Sequence, residues 1–60
     1  MASDRKKLLA RFTKLQAVFW DEQREHTSMA ATAPKGTEAI FVYGNNLEEL
    51  ADKLEEAIAS

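Results

Sequence analysis

The stretch TEAIFVYG at residues 37–44 decides the fold, because it is the one clear β-strand pattern in the chain. Residues 40–43 are β-branched or aromatic, the types that suit a pleated and buried surface. Gly36 and Gly44 bracket them as turn residues. We therefore expect a strand over residues 37–43, preceded by a long helical pattern and followed by a shorter one.

Both faces of this strand are apolar. Ile40 and Val42 point to one side, and Phe41 and Tyr43 point to the other. A lone strand leaves its backbone N–H and C=O groups unpaired. The strand must therefore pair with residues 27–33 or with the same strand of another subunit about a two-fold axis.

The sequence before the strand predicts a helix over about residues 4–26. Leu8, Phe12, Leu15 and Phe19 follow one another at steps of four, three and four residues, the spacing of one helical face. The face is wide enough to lie on a sheet or inside a helical cluster.

Residues 27–36 are ambiguous. Alanine favours a helix, but no apolar periodicity is present, and Pro34 must end any helix before it. We interpret the segment as a loop or a weak edge strand. A hairpin that turns at Pro34-Lys35-Gly36 is the alternative.

A second helix is predicted over residues 46–59. Asn46 is a good N-cap, and Glu49 follows three residues later as in a capping box. Glu49 and Lys53 form a favourable i, i+4 pair. The apolar stripe of this helix consists of Leu47, Leu50, Ala51, Leu54, Ala57 and Ile58.

The length of 60 residues and the absence of cysteine limit the architecture. A chain this short is marginal alone, and disulfides and thiolate zinc sites are excluded. We predict a single α+β domain over residues 1–60, with the order helix, strand or β-hairpin, helix, completed by homo-oligomerisation through strand pairing and helix packing. The predicted oligomer interface consists of Phe12, Leu15, Phe19, Trp20, Ile40, Phe41, Val42 and Tyr43.

Charge is distributed unevenly along the chain. Residues 1–20 carry five bases against one acid, a net charge of +4, whereas residues 21–60 carry three bases against nine acids, a net charge of −6. Such asymmetry is typical of a nucleic-acid contact at the basic end or of attraction between the two halves. The candidate nucleic-acid contacts are Arg5, Lys6, Lys7, Arg11 and Lys14.

Chemistry-bearing residues are sparse. On a continuous helix, Glu22 and His26 would lie one turn apart, with Glu25 beside them, which makes these three the candidate metal ligands. The favoured interpretation is a solvated helix end, so we predict no metal and no cofactor. The serines and threonines lack the base and partner of a catalytic triad, and we expect no enzymatic activity.

These observations favour a small non-enzymatic regulatory or accessory protein that acts through protein–protein contacts as a homodimer or higher oligomer. The alternative is a DNA-binding regulator, such as an antitoxin-like dimer, that uses the basic first helix. No apolar run approaches the roughly 18 residues of a membrane span. The lack of cysteine is typical of a cytoplasmic protein.

Overall fold

The computed structural model describes residues 2–60, with side chains from Asp4 onward. The elements are α1 (Ala2–Leu15), β1 (Val18–Arg24), β2 (Thr27–Lys35), β3 (Glu38–Gly44) and α2 (Leu47–Ala59). The strands form one antiparallel sheet in the order β1-β2-β3, and both helices pack on the same face of it. The predicted α+β class, with a helix at each end, is confirmed.

The first helix ends earlier than predicted, so the helix over residues 4–26 is wrong in its second half. The N–H of Ala17 donates to the carbonyl of Phe12 at 2.8 Å, and the N–H of Gln16 donates to that of Thr13 at 3.1 Å. Gln16 has a φ of 58°. These features form a Schellman motif with a left-handed residue after the helix, a position where glycine is usual. Because glutamine stands there, the sequence gives no stop signal.

Residues 18–24, predicted as helix, form β1 instead. Val18 and Trp20 share one side of the strand, and Phe19 lies on the other. The ring of Phe19 packs on that of Phe12, with centroids 5.1 Å apart and planes at 58°. The helical spacing therefore identified two residues that do meet, but they meet across a helix–strand boundary.

The segment predicted as a loop or weak edge strand is the central strand, with β1 on one side and β3 on the other. Its side chains are small: Ala30 and Ala31 are fully buried, and Ala33 is nearly so. Alanine is depleted in strands, which is why this segment was not predicted to be the central strand. Here the small side chains leave room for larger ones that reach across from the neighbouring elements.

The hairpin alternative is correct, but its turn lies further along. The two-residue turn is Gly36-Thr37, with Gly36 at a φ of 64°. Pro34 lies inside β2, opposite Ala39. The β1–β2 pairing starts at Val18 opposite Thr32, so β1 does not reach Pro34 and the missing N–H breaks no ladder bond.

The predicted strand over residues 37–43 is confirmed within one residue as β3, and it pairs with β2 rather than lying at the centre of the sheet. The predicted second helix is also confirmed. The Oδ1 atom of Asn46 accepts the N–H of Glu49 at 2.8 Å, which caps α2 as expected. Lys53 and Glu49 form their i, i+4 ion pair at 3.2 Å.

The core lies between the helices and one face of the sheet. Leu50 and Leu54 of α2 are its two large fully buried side chains. The buried cluster consists of Phe12, Ala31, Ala33, Leu50, Ala51 and Leu54. We call this side of the sheet the helix-covered face.

Candidate protein-interaction surface

The other side of the sheet has no helix over it within residues 2–60. Strand alternation and register place six residues together there: Val18 and Trp20 from β1, Ala30 and Thr32 from β2, and Phe41 and Tyr43 from β3. We call this set the open face. An antiparallel sheet that faces water on one side normally alternates apolar and polar residues. Here five of the six positions carry apolar or aromatic side chains.

Aromatic rings close over the central strand of the open face. Trp20 and Phe41 meet edge to face, with centroids 6.4 Å apart and an interplanar angle of 76°. They reach one another because β2 contributes only Ala30 and Thr32 beneath them. Exposure remains high at the margins, at 58% for Val18 and 59% for Phe41. The result is a broad aromatic platform rather than a pocket.

Several polar groups at this platform have partners inside the chain. The indole Nε1 of Trp20 donates to the Oε1 atom of Glu22 at 2.8 Å. The Thr32 hydroxyl donates to the carbonyl of Ile40 at 2.7 Å. The Arg24 guanidinium lies 4.7 Å from the centroid of the Tyr43 ring, a cation–π distance. A partner can therefore cover the open face without leaving these groups unpaired.

The predicted interface residues divide between the two faces. Phe12 is buried in the core, and Leu15, Ile40 and Val42 pack against it. Phe19 stays 38% exposed beside the core. Trp20, Phe41 and Tyr43 lie on the open face. The surface available to a partner is therefore narrower than the predicted set.

Val18, Ala30 and Thr32 belong to the open face, and none of them is among the predicted interface residues. The signal for Val18 was its alternation with Trp20, which the helical spacing of residues 8–19 obscured. Thr32 carried no signal of its own, because its position depends on the pairing register of β2.

The basic residues of α1 do not remain a uniform stripe. Arg11 donates from Nε to the Oε2 atom of Glu55 at 2.9 Å and from Nη2 to the Oδ1 atom of Asp52 at 2.7 Å. This contact joins α1 to α2 and neutralises the middle of the predicted nucleic-acid surface. The other four candidates, Arg5, Lys6, Lys7 and Lys14, are exposed.

The same contact shifts both partners toward their charged forms. The hydrogen bond from Arg11 is the main cause that lowers the pKa of Glu55 below its ordinary value. The hydrogen bonds to Glu55 and Asp52 raise the pKa of Arg11. Since both side chains of the Arg11–Glu55 pair are about a third or more exposed, solvent screens the interaction and its stabilising effect is modest.

The candidate metal ligands do not lie on one helix. Glu22 is in β1, where one of its oxygens accepts the Trp20 N–H, and Glu25 and His26 form the β1–β2 turn. The one-turn spacing on which a shared metal depended is therefore absent. Among residues 2–60, no three His, Cys, Asp or Glu side chains are grouped so that they could hold a metal ion.

Neither helix within residues 2–60 is long and apolar enough to cross a membrane. No protein-family model matches the chain, and no curated protein or solved structure matches it significantly.

Proposed function

We propose that the protein is a non-enzymatic accessory or regulatory protein of the cytoplasm that works as a homo-oligomer, with the open face as its contact surface. The observation that carries the proposal is this aromatic platform, left uncovered by a single chain. A contiguous exposed apolar surface is typical of a protein-binding site.

The occupant that the open face suits best is the open face of a second copy. Two platforms of this kind are uncharged at their centres, and the Trp20 N–H and the Thr32 hydroxyl of each already have partners. Each copy brings one acid, Glu22, and one base, Arg24, at the margin. A two-fold arrangement can therefore match opposite charges around an apolar centre, as isologous interfaces do.

The size of the molecule supports self-association. The chain exposes 4420 Å² at a mass of 6.7 kDa, whereas folded monomers of that mass expose about 3,900 Å². The described residues contain no disulfide or metal cluster to compensate for a small core. Burial against another copy would add the apolar contact that a small core lacks.

Sedimentation analysis of Val18→Ser tests the proposal, with Gln23→Ser as the matched control on the same strand. Val18 is exposed, so its substitution leaves the core intact. We expect the wild type and Gln23→Ser to sediment as oligomers at micromolar concentration, and Val18→Ser to lose at least half of that mass with unchanged circular dichroism. A monomeric wild type, or an unchanged mass for Val18→Ser, would overturn the proposal.

Nucleic-acid binding through α1 receives less support, because Arg11 is bound by two carboxylates of α2. Fluorescence anisotropy of a labelled DNA duplex at two salt concentrations tests it. Binding through phosphate contacts weakens steeply as salt rises. Salt-sensitive binding that Lys6→Glu and Lys7→Glu abolish would favour this alternative over a role confined to protein–protein contacts.

A further inference from the structure

We infer that the outer edge of β3 and the adjacent side of α2 form a second interface between copies of this chain, in which β3 pairs antiparallel with β3 of another copy. This interface goes beyond the open face and uses different atoms. It would join two three-stranded sheets into one sheet of six strands.

The backbone of β3 carries the first part of the argument. The two-residue turn makes Lys35 and Glu38 a hydrogen-bonded pair, and hydrogen-bonded and non-hydrogen-bonded pairs then alternate along the hairpin. The N–H and C=O groups of Ala39, Phe41 and Tyr43 consequently point away from β2. Lys53 confirms this direction, because its Nζ atom donates to the Tyr43 carbonyl from the outer side.

These outward groups match their own copies in one register. If Phe41 lies on the two-fold axis, it faces Phe41 of the second copy, and Ala39 faces the second copy's Tyr43. All three outward residues then occupy hydrogen-bonded pairs, whereas a shift of two residues in either direction leaves one of them unmatched. Apolar residues also oppose apolar residues, since Ile40 then faces the second copy's Val42.

The two edges of the sheet differ in how well they suit pairing with a strand of another copy. Between Asp21 and Arg24 the β1 pairing is irregular, and Asp21 and Glu22 place two acids there. Bulges and charges are among the devices that protect an edge from pairing. β3 has a regular register over all seven residues and no charge between Ala39 and Tyr43. Its edge is therefore the one suited to strand addition.

A groove of about 560 Å³ runs between the β3 edge and α2. Val42 and Ala57 contribute apolar surface to it, and Lys53 and Glu56 contribute opposite charges. Lys53 lies level with Tyr43, whereas the Ala57 carbonyl accepts a hydrogen bond from Lys35, near the other end of β3. Lys53 therefore lies at the Tyr43 end of the groove, and Glu56 lies about one helical turn closer to the end of β3 that carries Glu38.

This charge distribution selects a second copy as the occupant. An antiparallel arrangement about Phe41 places Tyr43 opposite Ala39 of the second copy, so Lys53 of each copy, which lies level with Tyr43, approaches the second copy's Glu38. The chain thus offers a strand with the right backbone groups, the right apolar residues and the complementary charges. The lysine that now covers the Tyr43 carbonyl would become part of the interface.

The two interfaces are separable by mutation. Ala39→Pro removes an outward N–H and no bond to β2, while Ala39→Ser keeps that N–H and is the control. With both interfaces present, the wild type should sediment as four copies, Val18→Ser as an edge-paired dimer, Ala39→Pro as a face-stacked dimer, and the double variant as a monomer. An unchanged mass for Ala39→Pro, with the helical circular dichroism retained, overturns the edge interface and leaves the open face unaffected.

A charge exchange tests the identity of the occupant and does not require proline. We expect Lys53→Glu to halve the mass, because it places a glutamate opposite the second copy's Glu38, and the double variant Lys53→Glu, Glu38→Lys to restore it. Both variants lose the Lys53–Glu49 ion pair, so that loss does not account for a difference between them. Restoration supports a second copy, since only a partner carrying the same exchange regains the opposite charges. An unchanged mass for Lys53→Glu, or no recovery in the double variant, overturns the inference.

Discussion

The helix-covered face and the open face are built from alternate residues of the same three strands, but the first is largely buried and the second is partly exposed. On the helix-covered face, Leu50 and Leu54 of α2 lie fully buried against Ala31 of the sheet. On the open face, Phe41 and Val18 remain more than half exposed. Both faces present apolar side chains, but within the described residues helices pack on one of them and not on the other.

The difference reflects how much of the sheet the two helices can cover. Two helices of 14 and 13 residues are enough to cover one side of a three-stranded sheet. Three of the four aromatic residues of the sheet, Trp20, Phe41 and Tyr43, lie on the side that these helices do not reach. We therefore expect substitutions on the helix-covered face to change folding, and substitutions on the open face to change assembly.

The largest expected effect separates the two faces directly. Leu54→Ala should lower the free energy of unfolding by about 2–5 kcal/mol, because it leaves a cavity at a fully buried position. Phe41→Ala should cost less than about 1 kcal/mol at low protein concentration, since its ring is largely exposed. Urea denaturation of both variants checks the comparison. Equal losses would mean that the open face also supports the fold of the single chain.

Two neighbouring alanines sharpen the comparison within one strand. Ala31 faces the helices and Ala30 lies under the aromatic rings, and both are fully buried. Ala31→Leu should destabilise by about 1–3 kcal/mol, because the added atoms force the helices apart. Ala30→Leu should cost less, since Trp20 and Phe41 can move outward. Thermal unfolding should therefore rank Ala31→Leu as the less stable variant, and the reverse order would contradict a rigid cover on that side.

The end of α1 offers a smaller effect in the opposite direction. Gln16 adopts a left-handed conformation that glycine adopts without steric cost. Gln16→Gly should stabilise by about 0.5–1 kcal/mol, because relief of this strain exceeds the added entropy of the unfolded chain. Gln16→Ala is the control and should not stabilise. A higher melting temperature for the alanine variant than for the glycine variant would argue against the Schellman end.

The ion pair between the helices should give the smallest effect. The pKa of Glu55 is lowered by Arg11, so its contribution is present above the ordinary value of 4.5 and is lost as pH falls through the lower folded value. We expect a loss of roughly 0.2–1 kcal/mol, the usual range for exposed pairs. Glu55→Gln should show a weaker fall in melting temperature than the wild type between pH 6 and about pH 3. An identical pH profile for the two proteins would mean that the pair adds nothing.

Sequence patterns predicted the second half of the molecule well and the first half less well. Asn46 and Glu49 indicate the start of α2, because the hydrogen bond between them depends only on residues that are close in sequence. The β-branched and aromatic run of β3 is equally local. In contrast, the end of α1 depends on Gln16 taking a conformation that its side chain does not favour. The helical spacing then ran on into Phe19, a residue of the next strand.

The candidate surface was predictable in part for the same reason. Trp20, Phe41 and Tyr43 were identified as interface residues from their type alone. Which of the predicted residues share a face depends on register, and register depends on a central strand of alanines whose pairing no local pattern indicates. The partner of Arg11 was hidden as well, because Glu55 lies 44 residues away in sequence.

The single tryptophan gives this molecule an optical label at an informative position. The indole of Trp20 rests against Phe41 on the open face and shares its N–H with Glu22. Its emission maximum and its accessibility to an aqueous quencher therefore depend on whether water reaches that side of the sheet. A shift of its emission maximum to longer wavelength on dilution would therefore report, without an added dye, that the open face becomes exposed to water.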